Sequence, residues 1–439
     1  MEQLLEIETL AMNGEKVTPF WRNPAAWLLE KKLNHSFWVF FTAAFFFDFG
    51  FSVYYFLFNL YLLDIHFNER AIGLVGGALT LGSVVGTLPA GLLTRKIGPR
   101  PMLIVCFVAA PALCSVRAVV MGQQQQIGLA FLAGLVMSLW GVCYLPAVAG
   151  LTAEENRTSG FSLIVSASIG TSALGGVVCG YLPQWLRMAG FAMQPVEVKR
   201  LILLTSCGIA AVGLLAVLRM QLPLPQAETP IKTTTRNNNW HRLLRLDPFL
   251  LRFLPAMALW TVVLTSFAPF ANVYLSRILH IPMSRIGLIF SVAQIVQLCV
   301  TLLTPILFRK LGLVNGIVAT QMVTALCLGC VAGTRNAGLA VAMYLSFSAM
   351  QWMSSPGLYN LLMSRVPDEE RSTAASMTLF CNALVGAGAT TGTGILFTRF
   401  GYPIVLAGIA ALAVVAAMLF RSLVGPAELL VPVQPPMQS

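Results

Sequence analysis

Apolar runs of roughly twenty residues recur along the chain, separated by short polar breaks, and this alternation governs every later reading. An α-helix rises 1.5 Å per residue, so about 20 apolar residues cross the ~30 Å hydrocarbon core of a bilayer. The pattern predicts helices over 37–63, 71–93, 102–122, 127–151, 160–183, 201–221, 252–275, 286–308, 316–334, 337–363, 374–398 and 404–424. Ten-residue segments of alternating polarity, the mark of an outer-membrane barrel, do not occur in the sequence. The expected fold class is therefore an all-α membrane protein with twelve transmembrane helices.

The longest polar interruption, about 223–250, divides the runs six and six. It predicts a segment 1–36, a six-helix bundle over 37–222, a linker over 223–251, a second bundle over 252–424 and a tail over 425–439. About 35 mixed residues precede the first run, so no signal peptide is expected. Within them Phe20, Trp21, Trp27, Leu28 and Leu29, followed by Lys31 and Lys32, predict a helix lying in the membrane interface. With the N-terminus inside, the inner loops hold Arg95, Lys96, Arg100, Arg157, Arg309, Lys310, Arg365 and Arg371, and the linker adds Arg236, Arg242 and Arg245. The outer loops hold chiefly Arg70, Arg187, Lys199, Arg277 and Arg285. That excess predicts cytoplasmic termini in a bacterial inner membrane.

Composition agrees and removes other classes. The chain is 57% hydrophobic and 10% charged, with a mean hydropathy of +0.77, whereas a soluble domain carries about 25% charged residues. The net charge of +11 sits in short loops, where it orients the chain, and forms no basic face for nucleic acid. All nine cysteines lie in apolar runs and read as small hydrophobes. Cys327 and Cys330 have CxxC spacing but no second ligand pair, so neither a metal nor a cofactor is expected.

The halves repeat. TLPAGLLTRKIG (Thr87 to Gly98) aligns with TLLTPILFRKLG (Thr301 to Gly312), and AEENR (Ala153 to Arg157) with PDEER (Pro367 to Arg371), both at an offset of 214. Between the second and third helices, GLLTRKIGPR (Gly91 to Arg100) resembles the major facilitator superfamily signature G-x-x-x-D-[RK]-x-G-x-[RK]. Gly91, Lys96, Gly98 and Arg100 match, while Arg95 stands at the usual Asp position. The second copy keeps Lys310 and Gly312, with Arg309 at the same place. The resemblance spans nearly the whole chain and implies two pseudo-symmetric bundles moving a small molecule by alternating access.

By that resemblance the signature loops meet the other half when the cytoplasmic side closes. Because Arg95 and Arg309 invert the usual charge, the expectation is a reversed latch. Arg95 or Lys96 would pair with Asp368, Glu369 and Glu370, and Arg309 or Lys310 with Glu154 and Glu155. Gly98 and Gly312 suit tight turns, and Gly91 a close helix approach. Gly170, Gly175, Gly176 and Gly180 on helix five, with Gly386, Gly388, Gly392 and Gly394 on helix eleven, predict tight packing where the halves rock.

Two ionisable residues stand inside the predicted spans. Asp48 lies about 18 Å into the first helix, and a mid-membrane charge is usually functional. Asp48, Ser52, Tyr55 and Asn59 are spaced four, three and four apart, hence on one face. Thr261, Thr265, Ala268 and Asn272 repeat that spacing in helix seven, without the carboxylate. Thr80, Ser83 and Thr87 correspond likewise to Gln294, Gln297 and Thr301, and helix ten adds Tyr344, Ser348, Gln351 and Ser355. In the family the first helix of each three-helix unit lines the central cavity, so these stripes are expected there, with Trp140, Tyr144 and Trp260 as aromatic walls. Asp48 could take up a proton when desolvated, since an apolar surrounding disfavours the charged form, or bind a cationic substrate. Arg117 is expected to snorkel to the headgroups.

These residues predict a monomeric secondary transporter of a small molecule, coupled to protons, with outward movement of amphiphilic compounds as the leading use. Uptake of a neutral metabolite or sugar is the alternative, and a non-transporting receptor is the alternative of another class. No convergent acid, base or metal group sits at mid-membrane, so no enzyme is expected.

Overall fold

The computed structural model describes residues 33–152, 156–190, 194–220, 248–334, 336–366 and 371–428. The first bundle runs α1 (His35–Asp64), α2 (Glu69–Ile97), α3 (Pro99–Val119), α4 (Gln123–Leu151), α5 (Arg157–Met188) and α6 (Pro195–Arg219). The second begins with α7 (248–277), in which the 3-10 turn Ala268–Phe270 interrupts the α-helix. Then follow α8 (Met283–Leu311), α9 (Leu313–Gly333), α10 (Ala337–Arg365) and one helical run, Arg371–Glu428. Gly401, with φ 74°, breaks that run into α11 (371–400) and α12 (402–428).

Ten described stretches are long and apolar enough to cross a membrane, with 377–424 counted as one. The expected twelve is reached by dividing that stretch at Gly401 and adding α10, equally long but more polar through Ser348, Gln351, Ser354, Ser355 and Asn360. Several helices outrun the predicted spans. Hydropathy reports the part matched to hydrocarbon, whereas the backbone ladder of α2 continues over Glu69 at one end and Lys96 at the other. The interfacial helix expected before residue 33 and the linker over 223–251 fall largely outside the described residues. The expected tail from 425 is helical as far as Glu428.

Short turns keep successive rods antiparallel. Gly98 (φ 85°) and Gly312 (φ 80°) each reverse the chain in a left-handed conformation that a side chain would strain. The Asn68 side chain accepts a hydrogen bond from Ala71 N and caps α2. His66 (φ 68°) and His280 (φ 50°) are the described non-glycine residues with positive φ. They stand 214 residues apart at the ends of α1 and α7, so the backbone repeats with the sequence.

Within the first bundle α2 lies against α4, where a Cβ added at Gly86 would come 2.7 Å from Leu135 O. Likewise α1 lies on α6, where one at Gly50 would come 2.8 Å from Ala210 N. Tyr54 and Tyr61 of α1 donate to Cys114 O at 3.1 Å and Ala118 O at 2.7 Å of α3. Beside them Arg117 contradicts its expectation. It does not snorkel; it is 1% exposed, its guanidinium 4.3 Å from the Phe58 ring centre. The ring face offers the cation partial compensation, and Gln126 of α4 donates to the Arg117 carbonyl.

The two bundles meet between the middle of the helices and the end remote from the termini, here the far end. A Cβ at Gly180 of α5 would lie 3.2 Å from the Gly287 Cα of α8, and one at Gly73 of α2 would lie 3.0 Å from the Gly394 Cα of α11. Ser291 donates to Ala173 O between α8 and α5, and the Arg70 amide donates to Thr398 Oγ1 at 3.0 Å. Small residues allow this approach where lipid supplies no hydrophobic drive between helices. Toward the terminal end the expected close approach at Gly91 is not found: a Cβ there would meet nothing within 4 Å, and the same holds at Gly170, Gly388 and Gly392.

Candidate functional site

The α1 stripe runs down the seam between the bundles. Asp48 is half-buried in the interior of α1 and stands near Ser168 of α5. Tyr144 packs 5.2 Å from Trp140, and Trp140 packs 4.8 Å from Phe47 and 6.0 Å from Phe40. Phe45 and Phe49, on either side of Asp48, stack in parallel at 6.4 Å, with Phe45 37% exposed.

One to three turns further along α1 the stripe opens into a cavity of about 240 Å³. Ser52, Tyr55, Phe56 and Asn59 line it from α1, and Ser172 and Gly176 from α5. Ala268, Pro269 and Asn272 close it from α7, and Phe290 and Gln294 from α8. Ser52 is within reach of the Phe49 and Thr171 carbonyls, at 2.9 and 3.1 Å. Neutral hydroxyl and amide groups therefore share the walls with aromatic rings.

A reciprocal clamp shuts the far end of this cavity. Asn59 Nδ2 donates to Pro269 O at 2.7 Å, and Asn272 Nδ2 donates to Phe56 O at 2.8 Å. The two asparagines are repeat equivalents, each holding the backbone of the other's helix. Pro269 has no N–H and interrupts the ladder of α7, and it is there that α7 presents a carbonyl to the seam. Just beyond, Arg277 Nη1 meets Glu69 Oε1 at 2.8 Å across the seam, with Glu69 side chain 9% exposed.

The structure therefore brings Ser52, Tyr55, Asn59, Asn272 and Gln294 together around one cavity, while Trp140 and Tyr144 pack on each other in the first bundle and Asp48 stands one turn before Ser52 on α1. Gln297 is half-buried on α8, one turn past Gln294. Thr261 is bonded to Asn382 Oδ1 at 3.0 Å, and Thr265 to Thr261 O at 2.8 Å, inside the second bundle. Gln351 is 6% exposed. Trp260 corrects the expectation of an aromatic wall: it is 1% exposed, packed in the second bundle's core.

Of the expected cytoplasmic gate, the side chain of Arg95 and all of Glu154, Glu155, Asp368, Glu369 and Glu370 lie outside the described residues. Lys96, Arg309 and Lys310 are exposed. The ion pairs among the described residues, Lys199–Asp64 at 2.7 Å and Arg277–Glu69, are at the far end. Sequence reasoning missed Ser168, Ser172 and Phe290. Ser168, Ser172 and Gly176 are four apart and form a small-residue face of α5; Phe290 stands four before Gln294 and extends its stripe.

The family model of the Major Facilitator Superfamily matches residues 40–390. No curated protein matches the sequence. Among solved structures the fold is similar to a point variant of the nucleoside transporter NupG, at 15% identity and a TM-score of 0.72, over 89% of this chain and 100% of that one. It is similar also to a D-xylose–proton symporter, at 15% identity and TM-score 0.68, over 87% and 95%. A third likeness is the inward-open xylose transporter XylE from E. coli, at 14% identity and TM-score 0.67, over 88% and 95%. At such identities the likeness establishes the fold alone.

Proposed function

Because the chain belongs to the Major Facilitator Superfamily, we propose that it is a proton-coupled secondary transporter that carries amphiphilic small molecules outward by alternating access. The observation that carries this reading is the seam itself. A cavity lined by both bundles is shut at the far end by the Asn59–Asn272 clamp and the Arg277–Glu69 pair. We read the terminal end, where a Cβ at Gly91 would meet nothing within 4 Å, as the open one. Rocking the bundles about the cavity would exchange these two conditions. The positive charge of the terminal-side loops supports cytoplasmic termini in a bacterial inner membrane, which makes this the inward-open state.

Asp48, a carboxylate in the interior of α1, supports proton coupling, and the exposed rings of Phe45 and Tyr55 support an amphiphilic substrate. The reversed latch of Arg95 and Lys96 with 368–370, and of Arg309 and Lys310 with Glu154 and Glu155, would close the cytoplasmic side in the opposite state. We propose a monomer.

Uptake of a neutral metabolite is favoured by one observation, the hydroxyl and amide lining of Ser52, Asn59, Ser172, Asn272 and Gln294. The test is flux in proteoliposomes under an imposed proton gradient, with labelled amphiphiles, sugars and nucleosides. Gradient-driven movement of amphiphiles supports the leading reading, and movement of sugars or nucleosides alone supports the second. Saturable binding without flux would make the protein a receptor.

A further inference from the structure

We propose that the headgroup of an anionic phospholipid, drawn from the leaflet at the far end, docks where α5, α6 and α8 meet and clasps the two bundles in the far-closed state. This goes beyond the transport reading and rests on it only for the rocking of the bundles. A cavity of about 490 Å³ lies at that corner. Gln184 and Arg187 line it from the end of α5, Lys199 from the start of α6, and Ser284 from the first turn of α8. Its wall is thus shared between the bundles, and it sits on their contact. A Cβ added at Gly180, which also lines it, would stand 3.1 Å from the Ser284 carbonyl oxygen and 3.2 Å from that of Met283.

The first support is charge. The acids of this corner are committed: Glu197 accepts from the Gln194 amide at 3.2 Å where α6 begins, and Asp64 pairs with Lys199 at 2.7 Å. Arg187 has no acidic partner among the described residues, and neither has Arg285, the neighbour of Ser284 on α8. With Lys199 and Arg200 also present, the corner keeps a surplus of positive charge. A guanidinium presents a fork of donors that fits phosphate oxygens, and the Gln184 amide and Ser284 hydroxyl can add neutral donors.

The second support is the apolar surface that leads away from the cavity. On α8, Gly287 and Ser291 meet α5, while Phe290 and Gln294 turn to the central cavity. Leu288, Val292 and Ile295 are exposed and follow Ser284 at gaps of four, four and three, hence on one further face. This stripe runs from the cavity along the outside of the seam toward the middle of the helices. An acyl chain can lie on it while the phosphate stays at Arg187. On α5, Trp185 is half-exposed and stacks on Tyr181 at 6.3 Å, and such rings mark the headgroup level of a bilayer. A free anion would use the cations but neither the stripe nor the rings. A headgroup held by Arg187 of one bundle and Ser284 of the other spans the contact that must part when the far end opens, so an occupied site favours closure.

The test uses the purified full chain. Native mass spectrometry during titration with phosphatidylglycerol or phosphatidylcholine reads binding. Closure is read in phosphatidylcholine nanodiscs, with and without phosphatidylglycerol, by hydrogen exchange at the Arg70 amide, which donates to Thr398 across the seam. Phosphatidylglycerol should be retained in preference to phosphatidylcholine. Arg187→Gln, at an exposed position, should weaken that binding about fivefold, the effect of one basic residue beside anionic headgroups. Arg252→Gln removes an equal, exposed charge at the terminal end and should leave binding unchanged. Phosphatidylglycerol should slow Arg70 exchange by about the same factor in the parent and not in Arg187→Gln. Equal retention of the two lipids, equal loss in the two variants, or exchange indifferent to phosphatidylglycerol overturns the proposal. Inorganic phosphate that slows exchange in phosphatidylcholine as fully as the lipid does overturns it in favour of a free anion. The binding preference with its loss in Arg187→Gln, but no flux of any compound, upholds the site and defeats the transporter reading.

Discussion

Cutting the reciprocal clamp should loosen the far end by an amount that can be worked from its two bonds. Asn59→Ala and Asn272→Ala each remove one amide–carbonyl hydrogen bond across the seam. Such a bond contributes a net ~0.5–1.5 kcal/mol, so each change should cost the closed far end about 1 kcal/mol. At 1.4 kcal/mol per factor of ten, the single variants should raise the open fraction about fivefold and the double variant about thirtyfold. The carbonyls left behind are unpaired while the end is closed and meet water when it opens, so any orphan penalty adds to the opening. A reporter is built in. The Arg70 amide, at the start of α2 where helix N–H groups lack partners, donates to Thr398 Oγ1 of the other bundle. Hydrogen exchange at that single amide, read by mass spectrometry with electron-transfer fragmentation, follows separation of the bundles. The reasoning fails if the double variant exchanges within about twofold of the parent.

Three further outcomes follow from the same geometry. Gly287→Val places two methyls where even a Cβ would stand 3.0 Å from the Gly180 Cα. Overpacking costs ~1–3 kcal/mol, so proteoliposome flux should fall about tenfold or more while expression and thermal stability hold; unchanged flux contradicts the seam. Glu69→Gln weakens a pair whose arginine side chain is 55% exposed, so Arg70 exchange should rise by no more than about fivefold, the ~0–1 kcal/mol of a solvent-touched pair, and a change beyond that would mean the pair dominates closure. Arg117→Met replaces a buried cation that has no carboxylate partner among the described residues by an apolar chain of similar length, so the melting temperature should hold or rise; a drop of several degrees would assign Arg117 a structural partner among the residues not described.

What could be read in the sequence was whatever depends on spacing along one helix. The four-three-four gaps place Asp48, Ser52, Tyr55 and Asn59 on one face, and the structure lays Ser52, Tyr55 and Asn59 of it along the seam. The 214-residue repeat is visible again in the backbone at His66 and His280. Spacing fails where a neighbour decides. Trp260 shares a helix with cavity residues but points into its own bundle, because periodicity names a face without naming what covers it. Arg117 looked fit to snorkel until the ring of Phe58, 59 positions away, met it. The clamp is of the same kind. Two asparagines can be seen to correspond, but nothing in the chain says that each seeks the other's carbonyl across a broken helix.

Alternating access requires that the cavity between the bundles open to each side in turn. Ala268 lines it, is exposed there and carries the smallest of side chains on its wall, so Ala268→Cys can be labelled with an impermeant maleimide and the modified peptide identified by mass spectrometry. In sealed vesicles the parent should label from the terminal side and resist label from the far side. With Asn59→Ala and Asn272→Ala added, far-side labelling should rise and terminal-side labelling should fall. Labelling from both faces at once, or from the far side alone in the parent, would contradict alternating access through this seam.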